Sequence, residues 1–140
     1  MTLDIIELAH ARAYPPRVSE FTQPFWQGLA EGRWQTTRCT QCSRFTFPPK
    51  PICPHCWSKD MAWEAFATEG ELYSWTRVHA PPAVFAGEAP YSLGIIDLDG
   101  GLRIAVRLLD PDSGTYAPGM RMRMVALRYQ DGPLFAARPA

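Results

Sequence analysis

Four cysteines stand in two C-x2-C knuckles, Cys39/Cys42 and Cys53/Cys56, and the 140-residue chain has no others. Paired knuckles of this kind bring thiolates together on one tetrahedral metal, most often zinc. Four thiolates fill the shell, so such a site holds structure and leaves no open position for water or substrate. A tetrahedral four-sulfur site also accepts iron, as in a small redox protein. Disulfide pairing is the alternative in an oxidising compartment. Four thiolates around one zinc leave about −2 locally, which Arg33, Arg38, Arg44, Lys50 and Lys59 are placed to offset. His55 lies inside the second knuckle, where the shell is already complete, and reads as a turn or surface residue.

The remaining reactive groups do not assemble into a catalytic set. His10, His55 and His79 are far apart in sequence, and metal binding leaves no free cysteine nucleophile. Ser74 and His79 lack a third group and an oxyanion site. Asp97 and Asp99 flank a turn and read as solvated hairpin support rather than an acid–base pair. Alternation puts Arg103 with Arg107, and Arg121 with Arg123, opposite their apolar neighbours. Such pairs suit phosphate groups, although Asp97, Asp99, Asp110 and Asp112 are close enough in sequence to neutralise them. Tyr73 and Trp75 offer stacking faces for a base, or packing surface against the ribbon. The stretch from His79 to Tyr91 carries Pro81, Pro82, Phe85 and Pro90 and reads as a semi-rigid lip or a surface connection.

The elements that must position these groups follow from pattern and punctuation. Residues 1–12 carry a weak helical pattern with Leu3, Ile6 and His10 on one side, ended by Tyr14-Pro15-Pro16. A short helix begins near Ser19 or Thr22, with Pro24 in its first turn, Phe25, Trp26 and Leu29 on its apolar face, and Gly32 as its stop. Residues 33–65 form the knuckle module, where Trp34, Phe45, Phe47, Trp57 and Trp63 are expected to pack around the cysteines. A ribbon this small needs metal and aromatic packing together to fold. From Phe66 the period becomes two. Leu72, Ser74 and Thr76 alternate with Tyr73, Trp75 and Arg77, and Tyr91 to Leu98 reads as a strand. Asp99-Gly100-Gly101 marks a hairpin. Leu102, Ile104, Val106 and Leu108 alternate with Arg103, Ala105 and Arg107. Gly114 and Pro118-Gly119 punctuate the return, and Met120, Met122, Met124 and Ala126 alternate with Arg121, Arg123 and Val125. A last strand holds Phe135. Five such strands make a mainly β chain with a C-terminal five-stranded barrel over residues 66–140, behind a helical segment over 1–32.

A net charge of 0 from 14 basic and 14 acidic residues weakens the case for nucleic acid, whose binding depends on phosphate neutralisation. No apolar run approaches a membrane span and no export signal opens the chain, so a cytoplasmic protein with reduced cysteines is expected.

The ordered combination of motifs resembles a known family. It runs through Phe25-Trp26-Gln27-Gly28-Leu29, Arg38-Cys39-x2-Cys42, Phe47-Pro48-Pro49, Cys53-Pro54-His55-Cys56 and Gly70-Glu71-Leu72-Tyr73-Ser74-Trp75-Thr76. Pro90-Tyr91, Ile96-Asp97-Leu98 and Pro118-Gly119 complete it, so the resemblance spans roughly Phe25 to Phe135. The chain is similar to the thiolase-associated acyl-CoA accessory proteins that join an N-terminal helix, a rubredoxin-like zinc ribbon and an OB-fold. The resemblance implies Zn2+ on Cys39, Cys42, Cys53 and Cys56, with coenzyme A or acyl-CoA as a shared ligand. It further implies a hetero-oligomer with a thiolase-like or hydratase-like catalytic subunit. On that analogy His79, Tyr91, Arg103 and Arg107 approach the CoA arm, and the chain binds and scaffolds rather than catalyses. An OB-fold binder of single-stranded nucleic acid with a structural zinc ribbon is the alternative class.

Overall fold

The computed structural model describes residues 2–109 and 115–140. Asp110, Asp112 and Gly114, which entered the sequence reading, lie outside the described residues. In chain order the elements are β1 (Asp4–Glu7), α1 (Gln23–Ala30), β2 (Gln35–Cys39), β3 (Phe45–Thr46), β4 (Met61–Ala65) and β5 (Glu69–Val78). After a 3-10 helix (Ala83–Glu88) come β6 (Tyr91–Leu98), β7 (Arg103–Leu108), β8 (Arg121–Tyr129) and β9 (Gly132–Pro139). The chain is mainly β, as its pattern predicts.

Strands β5 to β9 run in the order β8-β5-β6-β7-β9, and β9 pairs back onto β8, closing a five-stranded OB-fold barrel. The β7–β9 contact is parallel, at Leu108 and Ala137, and the other barrel pairings are antiparallel. Leu72, Ile96, Ile104, Val106, Met122, Met124 and Ala137 fill its interior. The β6–β7 hairpin turns at Gly100 and Gly101, with φ of 96° and 103° that side chains rarely adopt.

Along β5 the expected alternation fails after Leu72. A register shift between Leu72 and Ser74 exposes Ser74 and Thr76 and turns Trp75 onto the core. A bulge of this kind moves every later side chain to the opposite face. Near its start β5 crosses so close to β6 that a Cβ on Gly70 would lie 2.2 Å from the Asp97 carbonyl oxygen.

The N-terminal residues differ from the weak helical reading. Residues Asp4–Glu7 form a strand parallel to β8, in register from Asp4 with Val125 to Glu7 with Arg128. So short a helix cannot stand alone, whereas Ile5 and Ile6 suit an extended edge and the β8 backbone offers partners. This added strand also explains Val125, which alternation sends outward yet is fully buried. Val125, Leu127, Tyr129 and Ala136 form a second cluster covered by Ile6, Leu8, Leu109 and Leu134. Arg12 then staples the segment to the β8–β9 turn, through Asp131 and the carbonyl oxygens of Asp131 and Pro133.

Helix α1 forms as its signals predict, with Pro24 in the first turn and Gly32 (φ 82°) just beyond its end. It buries Phe25 and Leu29. The ribbon is a three-stranded sheet, β3-β2-β4. Trp34 stacks on Phe66 at 4.8 Å between ring centroids, with Phe25, Phe47 and Phe135 within 6 Å of it. These rings merge helix, ribbon and barrel into one core.

Gly70→Ala should destabilise the barrel by about 2 kcal/mol or more, since rigid backbone faces the new methyl. Gly87→Ala, with nothing within 4 Å of its added Cβ, should change stability by less than about 0.5 kcal/mol. Urea unfolding midpoints of the two variants check both.

Candidate metal centre and ligand cleft

The two knuckles have matching backbone geometry. Cys39 N–H donates to the Arg44 carbonyl at 3.0 Å and Cys53 N–H to that of Ser58 at 2.9 Å. Each loop closes with an N–H donating to the first cysteine's carbonyl, from Ser43 and from Trp57, both at 2.9 Å. Ser43 and Trp57 each sit at φ 66°, in the left-handed region. Trp57 was expected to pack around the cysteines, yet it is 78% exposed. The backbone reversal that aims Cys56 at the site carries the Trp57 side chain away from it.

The four sulfurs lie within 4.8 Å of one another. Cys39 Sγ is 3.5 Å from Cys56 Sγ, and Cys42 Sγ is 3.6 Å from Cys53 Sγ. Tetrahedral thiolates at about 2.3 Å from zinc would sit about 3.8 Å apart, so the donor set fits a metal. Backbone N–H groups of Cys42 and His55 point at Cys39 Sγ and Cys53 Sγ, each at 3.4 Å. The Cys42 amide is the main reason the Cys39 thiol falls to about 6, against opposing burial. At Cys53 burial acts upward, but the Cys56 and His55 amides outweigh it and the thiol is lowered. At Cys56 the Ser58 amide pulls downward, yet Cys39, burial and the remaining thiols push the group up to about 12. Without a cation Cys56 therefore keeps its proton, which a shared divalent ion would release. His55 stands outside the sulfur set, exposed, with Nδ1 3.3 Å from Arg44 Nη1.

Of the four residues expected to meet a ligand, the structure brings two together. The Arg107 guanidinium lies 3.8 Å from the Tyr91 ring centroid and holds Glu88 at 2.8 Å. That ion pair fastens the 3-10 helix of the His79–Tyr91 segment to the barrel. Phe85 lies between Tyr91 and Tyr14, with centroids 6.2 and 6.4 Å away. Arg103 is elsewhere on β7, over the Tyr73 ring at 3.9 Å and bound to both Asp97 oxygens at 2.6 and 3.0 Å. His79 is exposed at the end of β5, and no hydrogen bond joins it to the other three among the described residues.

Arg121 is likewise held by Asp99, at 2.6 and 3.0 Å, and Arg123 approaches Asp4 and Glu69. Arg103 and Arg121 hold the Asp97 and Asp99 carboxyls below the ordinary value of 3.8. Both pairs thus contribute fully above that value and fade as pH falls through the depressed one.

A cleft of about 540 Å³ opens beside Arg107, lined by Trp75, Leu93, Ile95, Ala105, Leu134 and Phe135 among others, with no carboxylate. Sequence reading missed it. The available signal was β6 itself: Leu93 and Ile95 are apolar although they alternate with the buried Ser92, Gly94 and Ile96. A strand apolar on both faces covers two surfaces.

Comparison with known proteins agrees with this architecture. A family model described as "ChsH2, rubredoxin-like zinc ribbon domain" matches residues 26–62, and one described as "ChsH2, C-terminal OB-fold domain" matches 63–127. A DUF35 domain-containing scaffold protein from Methanocaldococcus jannaschii is 33% identical over 95 residues, 67% of each chain. The chain belongs to the ChsH2/DUF35 family. Benzoylsuccinyl-CoA thiolase subunit BbsA of Thauera aromatica is 32% identical over 100 residues, 66% of this chain and 65% of that one. Among solved structures, a chain of an Ltp2-ChsH2(DUF35) aldolase superposes with TM-score 0.77 at 28% identity, covering 89% of this chain and 98% of that one. This DUF35-family chain spans 62–68% of the length of the archaeal scaffold proteins it matches. It spans 27–39% of two hydratase alpha subunits. No helix among the described residues is long and apolar enough to cross a membrane.

Cys39→Ala should release the metal and loosen the ribbon, because metal affinity is folding energy here. Elemental analysis reports the loss of metal, and near-ultraviolet circular dichroism the loosening of the ribbon. Trp57→Gly should keep the metal and raise stability by about 1 kcal/mol, since glycine adopts the left-handed conformation freely.

Proposed function

We propose that this chain is a non-catalytic subunit that binds acyl-CoA and scaffolds a thiolase-like or hydratase-like catalytic partner. The observation that carries the reading is the apolar cleft without carboxylates, bordered by an arginine already positioned on an aromatic ring. An acyl or pantetheine segment suits the apolar walls, while Arg107 meets an anionic group at the edge. Tyr91 and the Glu88 ion pair keep Arg107 in place, and the ligand's anion would take over the position of Glu88. Arg103 and His79 are assigned outer contacts along the same ligand, reached in the assembled complex. All four cysteines belong to the metal centre, for which zinc is the proposed resident ion, leaving no thiol for an acyl intermediate. The thiolase subunit and the CoA hydratase alpha subunits among the relatives support this assignment.

Binding of single-stranded nucleic acid is the weaker reading. It would use Tyr73, which is 56% exposed, but Arg103 already covers that ring, and Arg121 and Arg123 face carboxylates. Salt-dependent retention of single strands at low ionic strength would restore it.

Purification of the chain from native extract should bring a thiolase-like or hydratase-like enzyme with it; recovery alone would count against the assignment. In the recovered complex, Arg107→Gln should weaken CoA binding by about tenfold, through loss of a charged hydrogen-bond donor. Unchanged affinity would remove Arg107 from the ligand site.

A further inference from the structure

A second cleft, of about 450 Å³, separates the metal knuckles from the β6–β7 turn. Ser43, Arg44 and His55 line one side, Gly100 and Gly101 the other, and no carboxylate contributes to the lining. Most arginines of the chain face a carboxylate, whereas Arg44 has none within ion-pair distance among the described residues. Its guanidinium also makes no hydrogen bond to a cysteine sulfur there, so its N–H donors are not taken up by the metal centre. Nη1 instead donates to His55 Nδ1 at 3.3 Å. A guanidinium has no acceptor, so this contact fixes His55 Nδ1 as the acceptor and leaves Nε2–H as a donor.

The facing turn is open. A Cβ on Gly100 or Gly101 would meet nothing within 4 Å, so a ligand can approach the backbone itself. The nearest carboxylate in sequence, Asp99, is bound by Arg121. We propose that this cleft is a phosphate-binding site, with Arg44 as its cation and the Ser43 hydroxyl, His55 Nε2–H and the Gly100 backbone N–H as accessory donors; the Gly101 N–H already donates to the Leu98 carbonyl. A fork of guanidinium donors matches phosphate oxygens better than a point charge does. The neighbouring metal-thiolate group carries about −2, so inorganic phosphate alone should bind only weakly, on the order of 1 mM. The shared chemistry admits two sources, free phosphate or a phosphomonoester such as the 3′-phosphate of CoA. Only the second rests on the acyl-CoA reading.

The test is a titration of the metal-loaded full chain with inorganic phosphate at constant ionic strength, followed by the backbone amide resonances of Ser43, Gly100 and Gly101. Saturable shifts are expected, weakened about tenfold in Arg44→Gln and unchanged in Arg107→Gln. Metal content checks that the Arg44 variant is intact. Absent shifts, shifts reproduced by chloride, or shifts indifferent to Arg44→Gln would overturn the site. CoA and dephospho-CoA then separate the sources. A preference for CoA that vanishes in Arg44→Gln assigns the 3′-phosphate, while equal binding leaves the phosphate site standing with free phosphate as its ligand. Because Arg107 and Arg44 are tested separately, loss of either site leaves the other intact.

Discussion

The packing of Trp34 against Phe66 and Phe135 is the contact on which the rest of the molecule depends. Trp34 opens the ribbon, Phe66 leads into β5, and Phe135 belongs to β9, so three parts of the chain share one set of rings. Phe25 brings in the helix and Phe47 the turn before the second knuckle. Aromatic side chains bury about 150–250 Å² each, which at about 25 cal/mol per Å² is some 4–6 kcal/mol per ring as an upper bound. A ribbon of three short strands has no comparable core of its own. The Trp34 indole N–H donates to the Ala67 carbonyl at 3.1 Å, so the largest buried ring is also held in orientation. Shape at the junction is therefore fixed by apolar packing, and the metal is left a more local task.

That task is to set the knuckles. The sulfur cluster orders the ends of the ribbon distant from the aromatic junction, where Ile52 and Trp57 are exposed and little apolar surface is buried. A left-handed backbone at two non-glycine positions is tolerated there because the knuckle geometry over-determines it. Metal and rings act on opposite ends of the same small sheet. Loss of one should leave the other partly in place, as expected when two stabilising devices share few neighbours.

What the sequence disclosed was what its local chemistry dictates. The cysteine spacing, Pro24 and Gly32 around α1, and the glycine pair of the β6–β7 hairpin act within a few residues, and all appear in the structure as read. The misses share a different cause. β1 becomes a strand because β8, more than a hundred residues away, offers its edge, and no signal within residues 4–7 records that partner. Val125 is buried by the same distant event. The bulge after Leu72 is a defect of pairing rather than composition, so alternation continued past it sent Trp75 to the wrong face. The apolar cleft was obscured for a related reason: Leu93, Ile95 and Leu134 lie on strands whose juxtaposition is a property of the closed barrel. Arg103 and Arg107 looked equivalent in sequence, and only their partners separate them.

The difference between those two arginines bears on how the barrel can use its charge. The Arg103–Asp97 pair is about half exposed on both sides, with water available to either partner. Exposed pairs of this kind contribute little and exchange easily. Arg107 and Glu88 are only about a quarter exposed, and the Tyr91 ring covers the guanidinium. Lower local dielectric strengthens the pair and makes any replacement of Glu88 selective, because an unpaired charge there would be poorly solvated. Glu88 closes the 3-10 helix, so an anion that took its place on Arg107 would also release the tether between that helix and the barrel. Exchange of Glu88 for another anion at Arg107 would thus shift the loop with it, whereas at Arg103 the same exchange would move nothing but two side chains.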